Sequence, residues 1–299
     1  MGTAAQAQPG DVSARYESNT LYIDGDSGNN AFRATQNGAG LITVVGLNGT
    51  TINGLPSVSF PALGIVAADI KTGAGNDTVT LVRLRPESDL KVDLGDGNDT
   101  ATLNGDFAGA VIEVYGGQGD DRVNGSNLTV IGDLVIDTAE GIGTVTFNGA
   151  SIGQNLTILS NDANDTVRFT NTIVQGDLFV ETGLGADIVN ASFLTVNRSL
   201  GIVAGDGANR VTLADSSAGE DVSVTTGVGN DVVSLTRVRS FKSLTVDADA
   251  GNDRVTASGV RVVADAVFKG GSGVDTLLGL SSIVAGIKRE IVEFESFTP

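Results

Sequence analysis

The chain has 299 residues, contains neither cysteine nor histidine, and carries a formal net charge of −18. Without cysteine no disulfide framework can form, and without histidine the usual proton shuttle and the commonest transition-metal ligand are missing. The acidic balance argues against nucleic acid and anionic membranes as partners and favours cations, and no apolar run is long enough for membrane insertion.

The first segment, residues 1–19, is predicted to be the remnant of a leader. Ala5-Gln6-Ala7 resembles the end of a signal peptide, although no hydrophobic stretch precedes it. The absence of cysteine and the acidic composition rich in Gly, Asn, Asp and Thr agree with export. We therefore expect a protein that is secreted or held at the cell surface.

A short phrase recurs along most of the chain at a fixed step. Gly75-Asn76-Asp77 returns as Gly97-Asn98-Asp99, and later as Gly229-Asn230-Asp231. A constant step of this size is typical of solenoids. Ten units of 22 residues begin at Ala67, Asp89, Val111, Asp133, Asn155, Asp177, Ser199, Asp221, Ser243 and Asp265. One more unit begins at Thr20, and an insertion near residues 42–66 separates it from the others.

Apolar and polar residues alternate inside each unit, as in Leu244-Thr245-Val246-Asp247, and this period of two predicts strands. Two apolar pairs and a looser third apolar position give three short strands per coil. We predict an all-β fold, a single parallel β-helix of about eleven 22-residue coils over residues 20–286, right-handed by default. At about 4.8 Å per coil its length is on the order of 50 Å.

Both ends of such a rod need cover, because unpaired strands add other chains. Residues 287–299 combine charge with bulky apolar side chains and are predicted to form a C-terminal cap. Near the N-terminal end, Ile42 to Ile52 are predicted to form two strands about the Asn48-Gly49 turn, folded over the first coil. Alternatively the ends are docking surfaces, and self-association head to tail generates filaments.

The eleventh residue of the unit is mostly aspartate, so stacked coils place carboxylates in a column. Its members are Asp77, Asp99, Asp121, Asp165, Asp187, Asp231, Asp253 and Asp275. Two explanations stay open. Each aspartate accepts hydrogen bonds from nearby amides of its own turn, as Asn30 and Asn209 in the same column could also do; or the column binds Ca²⁺. Additional acidic oxygens come three residues earlier in some coils, from Asp96, Glu140, Asp162 and Asp206.

The turn phrase also resembles a known motif. Gly116-Gly117-Gln118-Gly119-Asp120-Asp121 and Gly270-Gly271-Ser272-Gly273-Val274-Asp275 are similar to the RTX-type calcium-binding nonapeptide of bacterial secreted proteins. The resemblance implies calcium between facing turns, with the column aspartates as ligands. It covers one turn per coil, whereas RTX proteins place two nonapeptides in each coil.

Coils of this length also resemble those of pectate lyases and polygalacturonases, which act on polysaccharides. Asp93, Glu113 and Asp137 are predicted to point outward and could supply an acid and a base. However, Asp69, Lys91 and Glu113 alternate in sign from coil to coil, which is how neighbouring strands offset repulsion. The strict register also leaves no long loops to build a cleft, so no enzyme is expected and no catalytic residue is assigned.

Thr-x-Thr pairs such as Thr78 and Thr80 are typical of ice-binding surfaces, but arginines interrupt the array in other coils. Threonine is also simply a good exposed strand residue. The sequence predicts instead a secreted structural or adhesive β-solenoid of the bacterial cell surface or extracellular matrix, self-assembling into fibres and stabilised by calcium. The alternative is a carbohydrate-binding or polysaccharide-degrading β-helix, a polysaccharide lyase or glycoside hydrolase, with surface glycans or matrix components as partners.

Overall fold

A computed structural model describes residues 10–61, 64–107 and 111–298 of the chain. The protein is a β-solenoid of about 10 turns, in which coils of about 22 residues stack in parallel. The predicted parallel β-helix is therefore confirmed. The described residues contain no helix of a length and apolarity that could cross a bilayer.

Each coil contributes one strand to a first sheet, whose strands carry apolar residues at their second and fourth positions. Parallel pairing runs from Leu21 beside Ala68 to Val246 beside Phe268 without a change of register. The strands of the first sheet are Thr20–Asp24, Ala67–Lys71, Asp89–Asp96, Val111–Gln118, Asp133–Asp137, Leu156–Leu159, Leu178–Glu181, Leu200–Val203, Val222–Thr225, Leu244–Asp247, Ala266–Lys269 and Arg289–Val292.

The glycine-rich turn leads from the first sheet to a second parallel sheet. Its strands are Ala31–Gln36, Thr78–Val82, Thr100–Phe107, Arg122–Val130, Thr144–Asn148, Thr166–Val174, Ile188–Val196, Arg210–Ala214, Val232–Thr236, Arg254–Ser258, Thr276–Leu278 and Ser296–Thr298. A third, shorter strand follows, either continuous with the second or separate as Ser151–Ile152, Ser217–Ala218, Arg239–Ser240, Val260–Val262 and Ile283–Ala285.

The corner between the second and third strands has a fixed backbone conformation. Residue 17 has a positive φ in the nine coils that begin at Ala67 through Ser243, for example 47° at Asn127, 50° at Asn171 and 55° at Phe193. Glycine and asparagine enter this left-handed region most readily, so most coils can make the corner at little cost. Phe193 has neither advantage, and its side chain is 58% exposed.

The core is one continuous column of apolar side chains that runs along the axis. Large side chains in one coil are matched by small ones in the next. The rings of Phe147 and Phe169 stack with their centroids 6.0 Å apart. On the other side of Phe147, Gly125 leaves room for the ring, because a Cβ on Gly125 would lie 2.4 Å from it. No single coil could bury these residues alone, so the fold depends on stacking.

The N-terminal end differs from the prediction. Leu41–Gly46 pairs antiparallel with Ala31–Gln36 and with Ser57–Pro61, whereas Thr51–Ile52 pairs with Asp11–Glu17. The predicted hairpin about Asn48-Gly49 is therefore wrong in its pairing, because the two strands that the turn joins go to different sheets. Leu41–Gly46 instead extends the second sheet beyond its first coil.

Two predicted boundaries also change. Asp11–Glu17, which falls in the predicted leader remnant of residues 1–19, is a strand paired antiparallel with the first coil. At the other end, the predicted cap of residues 287–299 continues the solenoid, since Arg289–Val292 and Ser296–Thr298 add parallel strands to the first and second sheets. Both segments supply backbone partners to a sheet, which their positions outside the regular repeat did not indicate.

Candidate functional site

The predicted column of aspartates lies at the turn between the first and second sheets. All eight side chains are buried, with at most 2% of each residue exposed. They are Asp77, Asp99, Asp121, Asp165, Asp187, Asp231, Asp253 and Asp275. The structure therefore brings the predicted site residues into one file, inside the wall of the solenoid.

Each carboxylate accepts a hydrogen bond through Oδ1 from a backbone amide of the preceding coil. The amide of Asp77 donates to Asp99 across 2.7 Å, and the amide of Asp231 donates to Asp253 across 2.8 Å. The prediction of a hydrogen bond to a nearby amide is thus corrected, because the donor lies 22 residues earlier in sequence and one coil away in space. The column links coils instead of fixing single turns.

The same ladder tolerates three variations. Asn209 accepts the amide of Asp187 through its own Oδ1. Gly143 has no side chain, and the amide of Asp121 turns instead to the carbonyl of Ile142. At the last coil Glu295 replaces an aspartate, since its Oε2 accepts the amide of Asp275 across 2.6 Å.

The second carboxylate oxygen, Oδ2, is buried in all eight aspartates and has no hydrogen-bond partner. Asn209 shows what surrounds this position. Its Nδ2, which takes the place of Oδ2, donates to the carbonyl oxygens of Gly205 at 2.7 Å and Thr226 at 3.0 Å. Asn30 in the first coil likewise donates to backbone carbonyls. Around Asn209 this position is therefore lined by carbonyl acceptors, which suit a proton or a cation and disfavour a bare carboxylate. In some aspartate coils a threonine hydroxyl also lies beside the carboxylate, as Thr226 does beside Asp231, and counters part of the rise of its pKa.

Burial has the expected electrostatic effect on the column. Desolvation raises the pKa of Asp99 and of Asp165 to about 7, against the opposing effect of the amide hydrogen bond. It raises the pKa of Asp121, Asp231 and Asp253 to about 6 for the same reason. These side chains therefore take up protons near neutrality, well above the range of an ordinary aspartate.

A second ladder lies one residue earlier and was missed by sequence reasoning. The side chain of Asn76 accepts the amide of Asn98, and that of Asn98 accepts the amide of Asp120. The direction is opposite, because here the side chain receives an amide from the following coil. The recurrence of asparagine in the Gly-Asn-Asp phrase was a signal that could have indicated this ladder. The hydrogen-bond partner, however, lies 22 residues away, so the pairing could not be read from the phrase alone. Together the two ladders tie each turn to the coils on both sides.

The acidic residues that lie three positions before the column aspartates differ from them in exposure. Asp96, Glu140, Asp162 and Asp206 are exposed, whereas the column aspartates are buried. Asp206 accepts the amide of Val228 in the next coil across 2.9 Å. These carboxylates face solvent at the turn.

The hypothetical acid–base residues lie on the outer face of the first sheet. Tyr115 pairs with Asp93 on one side and with Asp137 on the other, so an aromatic residue separates the two carboxylates. Glu113 lies beside Lys91 in a neighbouring file. Asp137 uses its Oδ1 to accept the amide of Ala139 across 2.9 Å.

Calcium requires six to eight oxygen ligands. At the column one coil offers a carboxylate Oδ2 together with carbonyl oxygens, which are ligands of the right kind but few in number. Across residues 10–61, 64–107 and 111–298, no three or more carboxylates converge on a point that could hold a metal ion. Calcium at the column stays a prediction.

Comparison of the chain with protein-family models, curated proteins and solved structures gives no match.

Proposed function

We propose that this chain is a secreted structural or adhesive β-solenoid of the bacterial cell surface or extracellular matrix, and that it self-assembles. The observation that carries the proposal is the uninterrupted parallel register between successive coils, from Ala67 to Lys269. Each coil is bonded to its neighbours through backbone ladders and through side-chain ladders at the turn. Such a chain is a stiff spacer, and its useful properties are length, rigidity and the chemistry of its faces.

Calcium is the second part of the proposal. Eight buried Oδ2 atoms face a pocket that Asn209 shows to be lined by carbonyl oxygens. A cation shared between the carboxylates of neighbouring coils would neutralise them and stiffen the turn edge. The residues that would hold it are the eight column aspartates.

The two parts are tested together by negative-stain electron microscopy and by thermal unfolding, each with calcium and with a chelator. Rods or fibres of uniform width are expected in both conditions, and calcium is expected to raise the midpoint of unfolding in a concentration-dependent way. Compact particles without elongation would contradict the structural proposal. An unfolding midpoint that does not change with calcium concentration would contradict the calcium part of the proposal but not the structural part.

The alternative, a carbohydrate-binding or polysaccharide-degrading β-helix, is supported by a shallow groove of about 230 Å³ on the second sheet. Arg168, Asn190 and Ser192 line it and offer hydrogen-bonding groups of the kind that sugars use. Incubation with neutral and acidic polysaccharides tests this alternative. Binding that Arg168→Ala abolishes would assign the groove to a glycan, and cleavage that Asp93→Ala abolishes would assign an activity to the acidic residues of the first sheet; either result would favour this alternative over the structural role.

A further inference from the structure

The outer face of the second sheet is unusual for so acidic a protein. The outward residues of its strands, from Ala31–Gln36 to Arg254–Ser258, include no aspartate or glutamate at coil positions 12, 14 and 16. Most are threonine, serine or asparagine. The charged side chains on this face are arginines only, and all are exposed: Arg33, Arg122, Arg168, Arg210 and Arg254.

Four of these arginines are evenly spaced. Along the ladder Arg122 is followed by Thr144 and Thr166, and Arg210 by Val232 and Arg254. Arg168 lies in the same coil as Thr166 but two residues further along the strand, about 7 Å to the side of the file that holds the other three arginines. Every second coil from Arg122 to Arg254 therefore carries one arginine, at intervals on the order of 10 Å along the rod. We call Arg122, Arg168, Arg210 and Arg254 the arginine row.

The first sheet carries a matching row of opposite sign. Asp93 is followed by Tyr115 and then Asp137, and Asp137 by Leu159 and then Glu181. These carboxylates point outward and again occupy every second coil. We call Asp93, Asp137 and Glu181 the acidic row. Because both rows belong to the same stack of coils, their spacing along the rod axis is identical.

Neither row is neutralised by a close ion pair within the molecule, although Asp137 accepts the amide of Ala139 and Asp93 lies beside Lys71 on the adjacent strand. Elsewhere on the rod several basic side chains are paired with a carboxylate, as in Lys242 with Asp221 at 2.7 Å and Lys269 with Asp247 at 3.0 Å. Within the part of the chain that the structure describes, no member of the arginine row or of the acidic row forms an ion pair. The two rows lie on different sheets, so they cannot meet in one molecule.

We propose that the arginine row of one molecule docks on the acidic row of a second copy, so that the rods associate side by side. Because the interval along the axis is the same, three consecutive arginines can meet three carboxylates when the rods lie parallel or antiparallel, with the long side chain of Arg168 spanning its two-residue offset. Guanidinium groups bind carboxylates with two parallel hydrogen bonds, and the surrounding hydroxyl and amide groups supply further polar contacts. Each molecule keeps one row free, so this heterologous contact continues into sheets or bundles of rods.

A second copy fits the arginine row better than a nucleic acid does. The arginines are sparse compared with phosphates, which follow one another at about 3.4 Å along each strand. The outward positions of this face in the described coils carry no aromatic ring on which a base could stack. The inference deepens the proposed structural role and rests on it, and it specifies the surface through which self-assembly occurs.

Charge reversal tests the contact. One variant changes the arginine row to glutamate (R122E, R168E, R210E, R254E), and the other changes the acidic row to lysine (D93K, D137K, E181K). Sedimentation velocity at low and high salt measures association. The wild type is expected to form concentration-dependent oligomers at low salt, and each variant alone to associate at least about tenfold more weakly, since charged contacts set both partner choice and salt dependence.

An equimolar mixture of the two variants is the decisive sample. In the mixture, the unchanged arginine row of one variant can meet the unchanged acidic row of the other, and the introduced lysines can meet the introduced glutamates. Association is therefore expected to return to about the wild-type level. The acidic-row variant also controls for general repulsion. Its three changes lower the formal net charge from −18 to −12, so repulsion alone would make it associate more strongly than the wild type, not less.

R239E with R261E, which lie on the third strands, serves as a control that should leave association unchanged. Wild-type rods that stay monomeric at low salt, or a mixture that fails to associate, would overturn the proposal while leaving the rod intact. If wild-type rods stay monomeric but bind polygalacturonate, and the arginine-row variant does not, the occupant is an acidic glycan and the second copy is excluded. Circular dichroism confirms that each variant is folded.

Discussion

The backbone amide of Asn209 donates to Oδ1 of Asp231 across 2.6 Å, while the side-chain amide of Asn209 points into the pocket that Oδ2 of the aspartates occupies in other coils. The column thus contains its own control, because one coil carries an uncharged isostere of aspartate. That relationship makes the role of the charge measurable.

Replacing Asp99 by asparagine keeps the acceptor for the amide of Asp77 and adds a donor toward the carbonyl-lined pocket. We expect Asp99→Asn to increase the free energy of unfolding at pH 8 by about 1–3 kcal/mol, because a buried charge is removed. Asp99→Ala removes the acceptor as well and is expected to cost about 1–3 kcal/mol. Urea denaturation of both variants in chelator-containing buffer measures the difference. Equal destabilisation by both changes would show that the charge itself is required.

Stability should fall as pH rises from about 4 to about 7. The folded-state pKa of Asp99 and Asp165 is about 7, whereas an unfolded aspartate titrates near 3.9. Between these values the native state binds more protons than the unfolded state, so each such group lowers stability by up to about 1.4 kcal/mol per pH unit. The stabilisation is complete below about pH 4 and is lost above about pH 7.

Denaturation midpoints at pH 4.5, 6 and 8, without calcium, test this dependence. The double variant Asp99→Asn, Asp165→Asn should show a shallower decline than the wild type, while the general repulsion of a −18 chain is retained almost fully. Stability that rises with pH in the wild type would be inconsistent with neutral carboxyl groups in the column.

Close stacking of the turns leaves no room for a Cβ at the turn glycines, and Gly229 is an example. A Cβ on Gly229 would lie 1.7 Å from the carbonyl oxygen of Gly207, and φ at Gly229 is 159°. Gly229→Ala should therefore cost about 3 kcal/mol or more, through overlap that neighbouring backbone cannot relieve. Gly38→Ala is the matched control, since a Cβ there has no atom within 4 Å. The comparison of urea midpoints fails to support the stacking argument if the two variants are equally stable.

Phe193 occupies a corner that two other coils fill with asparagine and three with glycine. Its φ is 55°, close to that of Asn127 and Asn171, and its ring is mostly exposed. We expect Phe193→Asn to raise the free energy of unfolding by about 0.5–1 kcal/mol, because asparagine tolerates the left-handed region better. Phe193→Val should lower it, since β-branched residues tolerate that region worst. A thermal melt in which valine is the more stable of the two would contradict the assignment of strain.

The sequence predicted the fold because every coil repeats one local pattern. Leu244 and Val246 alternate with polar residues, and the same two positions are apolar in coil after coil, so strand, inward face and register followed from periodicity alone. The aspartate column could also be placed, since stacking maps equal positions onto one file. The predicted grouping of Asp99 with Asp121 is thus confirmed.

The partner of each aspartate could not be read from the pattern. Whether Oδ1 of Asp99 meets an amide of its own turn or the amide of Asp77 depends on the offset between coils, which sequence spacing does not reveal. The prediction of strand pairing in the N-terminal insertion was wrong for a related reason. Leu41–Gly46 had several edges available, and its pairing with Ala31–Gln36 was decided by the exposed side of the first coil.

The arginine and acidic rows both repeat every two coils, so the charge pattern along the rod has a period of two coils. Adding or deleting a pair of coils would change the span between its ends by about one nanometre without disturbing the phase of either row, whereas a single extra coil would put the two halves of each row out of step. Length variants of this architecture that remain able to assemble should accordingly differ by even numbers of coils.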